Sequence, residues 1–203
     1  MAKIFIETER LILRALSHTD AERLFLLDSN PEVMKYVGQP VLTQIEETQE
    51  VIKFIRKQYE ENGIGRWAVI EKKSGLLIGW CGLKLITYLI NGHQNIYDLG
   101  YRFLPDFWGK GYATESAKAV LKYGFEEMNL DKIYAYADVN NTNSSKILKE
   151  KLGFEEKGSF VDGDDNCFWY ELTKQNTDFL GFNKNKSLYK KEENASEASG
   201  NKE

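Results

Sequence analysis

The run Trp108-Gly109-Lys110-Gly111-Tyr112-Ala113-Thr114-Glu115 holds the residues of this chain best suited to chemistry. Its two glycines stand between a strand-like segment and a long amphipathic one, and glycine lets a ligand approach the backbone closely. The first turn of a helix carries backbone N–H groups without intrahelical partners, and its dipole favours anions. A pyrophosphate can therefore rest on the amides of Gly109 through Ala113. A dinucleotide fingerprint needs a third glycine where Thr114 stands, and a phosphate-binding Walker loop needs a Gly-Lys-Ser/Thr ending, so neither motif is present.

The flanking elements set this run in place. Upstream, Ile96 to Phe103 mixes aromatic and alternating residues as a strand does, and Pro105 closes it. Downstream, Ala113, Ala117, Val120, Leu121, Gly124, Phe125 and Met128 recur at helical spacing. Leu24, Leu26 and Leu27 form the apolar series of a first helix after Asp20, and Asn30-Pro31-Glu32 has the residue types of a helix start. Thr43 to Tyr59 is expected to be helical, with Ile45, Val51, Ile52, Ile55 and Tyr59 as its apolar residues. Arg66 to Ile70 and Leu76 to Leu83 are expected as strands joined by the turn Lys72-Lys73-Ser74-Gly75. Lys132 to Val139 continues the sheet, Ser144 to Leu152 is a helix stopped by Gly153, and a last hairpin pairs Phe154 to Phe160 with Cys167 to Leu172. The order predicts a single mixed sheet with helices on both faces.

The glycine run resembles the acyl-coenzyme A loop of the GNAT acetyltransferase superfamily, Arg/Gln-x-x-Gly-x-Gly/Ala, with Gly111 and Ala113 in the last two marked positions. Trp108 replaces the Arg or Gln, as is usual in the branch resembling the RimJ/RimL ribosomal-protein N-terminal acetyltransferases. The resemblance extends from about Glu7 to Lys174, with Glu7 to Arg14 similar to that branch's opening strand. It implies an α+β fold with one mixed, mostly antiparallel sheet, and acetyl-coenzyme A as co-substrate. Phe103 and Leu104 then belong to the strand end that pairs with the pantetheine arm. Trp108, Gly109, Lys110, Gly111, Tyr112, Ala113 and Thr114 form the pyrophosphate loop, and Asn141 bonds the pantetheine or shapes a turn.

Acyl transfer from a thioester to an amine needs a base for the amine, a donor for the developing oxyanion and a donor for the leaving thiolate. The resemblance places Asp98 on the strand where relatives carry an acidic residue, which makes it the base, acting through water; the alternative is a structural carboxylate paired with a lysine or arginine. Asn141-Thr142-Asn143-Ser144 resembles the N-x-x-S segment whose serine serves the coenzyme thiolate in Rim-type enzymes, so Ser144 is the candidate acid, or a helix N-cap. The interval from Asn141 to Gly153-Phe154 is one residue longer than the usual pattern, which brings Ser145 into contention. Lys149 or Leu148 falls where other GNAT enzymes carry an acidic tyrosine. Glu115 is explained by the helix dipole.

Composition fits one domain over residues 1–174 and a polar, disordered tail over 175–203. With a net charge of -4, the chain offers no broad basic surface, which argues against nucleic acid. No leader and no membrane span are evident, so the expected compartment is the cytoplasm. Cys81 and Cys167 are expected to be buried reduced thiols, His93 an exposed loop residue, and the four tryptophans mainly core. No metal is required. The expected partners are acetyl-coenzyme A and a primary amine, either a protein N-terminus or a small molecule, with the chain as monomer or homodimer. A second expectation is a regulatory module that binds acetyl-coenzyme A without transferring it.

Overall fold

The computed structural model describes residues 2–177 and Leu180. Among the described residues eight strands form one sheet; taken in chain order, the first six lie side by side in sequence and the eighth, then the seventh, complete it. The chain begins with β1 (Ile4–Glu7) and β2 (Leu11–Arg14), an antiparallel hairpin. The opening strand expected over Glu7 to Arg14 is thus corrected: Thr8 to Arg10 lie in its turn, because Thr8 bonds back to Leu11 through its N–H and hydroxyl.

Three helices follow: α1 (Ala21–Asp28), α2 (Pro31–Met34) and α3 (Ile45–Asn62). Asn30 caps α2 by accepting from the Glu32 N–H at 2.9 Å, with Pro31 in the first turn. At α3, the Glu47 carboxylate accepts from the Gln44 N–H at 2.9 Å, and Gly63 ends the helix in the left-handed conformation at φ 68°. Leu24 and Leu27 are buried while Leu26 is half exposed, which removes it from the expected core face. The strands β3 (Arg66–Glu71), β4 (Leu77–Ile86) and β5 (Ile96–Phe103) form an antiparallel meander. The helix α4 (Tyr112–Glu126), the strand β6 (Lys132–Asp138), the helix α5 (Thr142–Lys146) and the hairpin β7 (Glu155–Asp162) with β8 (Asp165–Thr173) complete the fold.

Strand alternation divides the core. Trp67 and Val69 pack in the cluster that includes α4, whereas Ala68 and Ile70 pack in the cluster that includes α1 and α3. Helices therefore cover both faces of the sheet. Leu180 is buried in the α4 cluster, so packed chain extends past Lys174; residues 178, 179 and 181–203, which hold most of the expected tail, lie outside the described residues.

The helix expected over Ser144 to Leu152 differs in two ways. Asn141, not Ser144, is its N-cap, accepting from the Ser144 N–H at 3.1 Å. From Ile147 to Lys151 the helix widens into a π turn, with the Leu152 N–H bonded to the Ile147 carbonyl at 3.0 Å. This turn absorbs the extra residue before Gly153 while Leu148 and Leu152 stay buried.

Two glycines allow a direct test of what the sheet tolerates. A Cβ at Gly82 would stand 2.7 Å from the Gly65 carbonyl and 3.0 Å from Arg66 Cα, backbone atoms that cannot rotate away, whereas a Cβ at Gly63 would meet nothing within 4 Å. Gly63→Ala is expected to cost about 1 kcal/mol through left-handed strain, and Gly82→Ala about 3 kcal/mol through overpacking. Urea denaturation of the two variants checks this; an equal or smaller loss at Gly82 would show that β3 and β4 part freely.

Candidate active site

Among the described residues β5 and β6 are the only parallel neighbours, and they pair through Asp98 and Tyr134 alone. Beyond that pair they diverge, leaving the edge of β5 open toward α5. Successive residues of a strand send their backbone groups to opposite sides. The Leu104 N–H donates to the Ile78 carbonyl on the β4 side at 3.0 Å, so Leu99, Tyr101 and Phe103 direct theirs toward β6, where Leu99 is taken up by the bridge at Asp98 and Tyr134 while Tyr101 and Phe103 face the opening. The Phe103 carbonyl is already occupied by the Trp108 indole N–H at 2.7 Å. The Leu104 N–H is therefore spent on β4, and the backbone groups of Tyr101, which the motif did not single out, face the opening instead.

At the far end of β5, Gly109 and Gly111 adopt left-handed φ values of 71° and 81°, and Gly111 is the N-cap of α4. The amides of Tyr112, Ala113 and Thr114 belong to the first helical turn and have no intrahelical acceptor. Nothing lies within 4 Å of a Cβ built on Gly109, and at Gly111 the nearest atom is Arg10 Nη2 at 3.5 Å. An open, donor-rich cradle beside a guanidinium suits a pyrophosphate. Arg10 fixes its wall, donating to the Lys110 carbonyl at 3.0 Å, pairing with Glu115 at 2.6 Å and stacking 4.4 Å over the Tyr112 ring. Glu115 also accepts from the Thr8 hydroxyl at 2.6 Å and the Arg10 N–H at 3.0 Å. Burial opposes its ionisation, yet these donors hold its carboxyl below the usual range. Its main role is thus to anchor the β1–β2 turn to the loop, which sequence could not reveal because the partners are a hundred residues apart.

Asp98 sits where β5 and β6 part. It is buried and its carboxylate is held by Arg66, whose guanidinium also donates to the Gly82 carbonyl and, at 2.6 Å, to the Asp98 carbonyl. The guanidinium lies across Gly100, where a Cβ would come 2.6 Å from Arg66 Nη2. Burial raises the Asp98 carboxyl above its ordinary value, opposed by Arg66 and by Lys84, its register partner on β4. Trp80 is flanked by Arg66 and Arg102 at 5.4 and 5.0 Å, and Arg102 pairs with buried Asp28 at 2.6 Å. Trp80 therefore belongs to this charged face, while Trp67 and Trp169 are core and Trp108 closes the loop.

Across the opening, the two serines separate. Ser144 Oγ lies 3.1 Å from the Tyr101 hydroxyl, whereas Ser145 Oγ accepts from Tyr170 on β8 at 2.9 Å. Ser144 faces the splay and Ser145 turns away from it. Lys149 pairs with Glu156 at 3.0 Å and Leu148 is core, so neither reaches the splay. A phenol does stand there, but it comes from β5. The aromatic character of Tyr101 alone reads as a strand residue, so nothing local in the sequence marks it as part of the site.

The remaining candidates are structural. His93 stacks on Trp169 with centroids 5.2 Å apart and lies 4.0 Å from Glu171, half-buried rather than simply exposed in its loop. Both cysteines are buried, and burial pushes the Cys81 thiol up to about 12 and the Cys167 thiol up to about 11, which disfavours nucleophilic thiolates. Among the described residues no helix is long and apolar enough to cross a membrane.

Residues 10–155 match the family model described as an acetyltransferase (GNAT) domain. The uncharacterized N-acetyltransferase p20 of Bacillus licheniformis is 36% identical over 156 residues, spanning 76% of this chain and 84% of that protein. The crystal structure of spermidine N-acetyltransferase from Vibrio cholerae, in complex with CoA and spermine, superposes with a TM-score of 0.67 at 25% identity, covering 83% of this chain and 98% of that one. RimL, the ribosomal L7/L12 alpha-N-protein acetyltransferase, in complex with coenzyme A shares the fold, with a TM-score of 0.70 at 17% identity over 84% of this chain and 98% of RimL. With the loop, the splayed strands and these likenesses together, the chain belongs to the GNAT family of N-acetyltransferases, which transfer an acetyl group from acetyl-coenzyme A to an amine.

Proposed function

We propose that this enzyme acetylates a small cationic amine by direct attack in a ternary complex, with Asp98 as base through water and Ser144 as donor to the leaving thiolate. The observation that carries this reading is the position of Asp98 at the single pairing point of β5 and β6, facing a charged surface rather than apolar core. Asp98 and Asp162 act electrostatically on the same neighbours, Lys84, Tyr88 and Tyr136, so two carboxylates converge on the space beside the splay. Arg66 acts on the same three groups with the opposite sign, so the charge there is mixed, and a cationic acceptor finds carboxylate partners without meeting a uniformly positive surface. The segment after α2 closes over the β7–β8 turn, with a Cβ on Gly38 only 2.2 Å from Asp165 Oδ2. A compact acceptor accords with the polyamine bound in the Vibrio relative.

When bound, acetyl-coenzyme A supplies the activated acetyl group. The loop amides of residues 109–114 hold its phosphates, and Arg10 adds positive charge beside them. The outward N–H of Tyr101 faces the thioester carbonyl and polarises it. Arg66 keeps Asp98 ionised despite burial, and Asp98 draws the proton from the attacking amine through water. The buried thiols suit a reducing cytoplasm.

Calorimetric titration of acetyl-coenzyme A is expected to show saturable binding that Gly111→Glu abolishes, because the new carboxylate fills the cradle and repels phosphate. No binding to the unmodified protein would overturn the transferase reading; binding without acetyl transfer to spermidine or to an N-terminal peptide would point to the regulatory module.

The acid limb of the rate profile tests the base. Asp98 must be ionised to act, and burial raises its carboxyl, so activity toward spermidine should fall as pH drops through a value above the ordinary aspartate range near about 4. Asp98→Asn is expected to remove that limb and lower turnover about 100- to 10,000-fold while acetyl-coenzyme A still binds. An unchanged rate would take Asp98 out of the reaction and leave it as the partner of Arg66.

A further inference from the structure

We propose that Tyr101 is a positioning residue for the leaving group: its phenol donates to Ser144 Oγ and so aims the Ser144 hydroxyl hydrogen at the sulfur of bound coenzyme A. This rests on the acetyl-transfer reading above and extends it to a residue outside the glycine loop.

Either hydroxyl can donate in this pair, and the proposed donor is the phenol. Tyr101 Oη lies 3.1 Å from Ser144 Oγ and 3.4 Å from the Ser144 carbonyl oxygen. The carbonyl can only accept; a phenolic hydrogen placed between the two oxygens serves both contacts and leaves the serine hydrogen free, whereas a serine hydrogen given to Tyr101 would not reach the sulfur. The Ser144 N–H is fixed in turn by Asn141 Oδ1 at 3.1 Å. Ser144 is thus held at its N–H, its carbonyl and its hydroxyl oxygen, which leaves its own O–H as the adjustable donor. Burial pushes the phenol of Tyr101 well above its ordinary value, so it stays protonated at any working pH.

The π turn explains why the strand supplies this group. The widened turn from Ile147 to Lys151 leaves Lys149 on Glu156 and buries Leu148. No helix residue at those positions offers a hydroxyl to the splay, and Tyr101 reaches it from the facing arm.

During transfer the C–N bond forms and the C–S bond breaks, with the sulfur leaving on the C–S electron pair. The amine proton departs toward Asp98 through water. Ser144 gives the sulfur a hydrogen bond, and Tyr101 keeps its proton throughout. The thiolate is then protonated from solvent.

An equilibrium measurement tests this without knowledge of the natural acceptor. The thiol of coenzyme A bound to the full chain is titrated by the ultraviolet absorbance of its thiolate. The unmodified protein is expected to hold that thiol more acidic than in free coenzyme A, because a hydrogen bond to the charged form favours it. Tyr101→Phe and Ser144→Ala should each return the thiol toward its free value by about one unit, and the double variant should do no more than either alone. Ser145→Ala should have no effect. If Tyr101→Phe does not fold, a ring-fluorinated tyrosine at 101, a stronger donor of the same shape, should shift the thiol in the opposite direction. A bound thiol indifferent to Tyr101→Phe, or additive losses in the double variant, would overturn the proposal. Coenzyme A that fails to bind at all would instead overturn the transferase reading beneath it.

Discussion

The buried pair between Arg66 and Asp98 is the constraint on which the rest of the site depends. A carboxylate placed at the only junction of β5 and β6 is unsustainable in a sheet interior without a compensating charge, because burying an isolated ion costs far more than a typical contact returns. The guanidinium can reach it only across bare backbone. Gly82 and Gly100, register partners on β4 and β5, provide that path, and Arg66 bonds to the carbonyl of one while lying over the other. Trp80 closes the arrangement from the side. Charge, glycine placement and strand register are therefore one solution to a single problem, and a change in any of them is felt at the splay.

The splay organises the chemistry. Antiparallel pairing elsewhere in the sheet uses up the strand edges, but the parallel junction of β5 and β6 holds for one residue pair and then fails. The open edge that results lies between a phosphate cradle at one end and the start of α5 at the other. Acceptor-side charge collects on the α1–α3 face, with Arg66, Arg102, Asp28 and Lys84, while Tyr101 and Ser144 meet across the opening.

Much of this was legible in the sequence, for reasons that can be named. The glycine loop was visible because left-handed backbone favours glycine, and Gly109 and Gly111 both adopt it. Strand alternation and apolar helical spacing located most elements within a few residues. The extra residue before Gly153 was visible as an anomaly of spacing, yet its form was not, since a π turn is chosen by the need to keep Leu148 and Leu152 buried together. Ser144 read as a possible cap until Asn141 was found in that place. The partners of Asp98, Ser144 and Glu115 were illegible, because each comes from an element distant in sequence and nothing local marks Arg66, Tyr101 or Arg10 as theirs. That the Leu104 N–H turns to β4 was illegible for a subtler reason: which side of a strand a backbone group faces depends on register with its neighbour.

The anchoring of the loop through Arg10 and Glu115 ties the cofactor site to the history of the chain as it folds. Contacts that bridge a hundred residues close slowly, because the entropy of a long loop must be spent before any of them form. The cradle is thus completed only when the amino-terminal hairpin has docked on α4. A ligand that binds the finished cradle stabilises the native state by mass action and leaves partly folded chains untouched. Cellular levels of the coenzyme thereby become a term in how long each molecule of this protein survives.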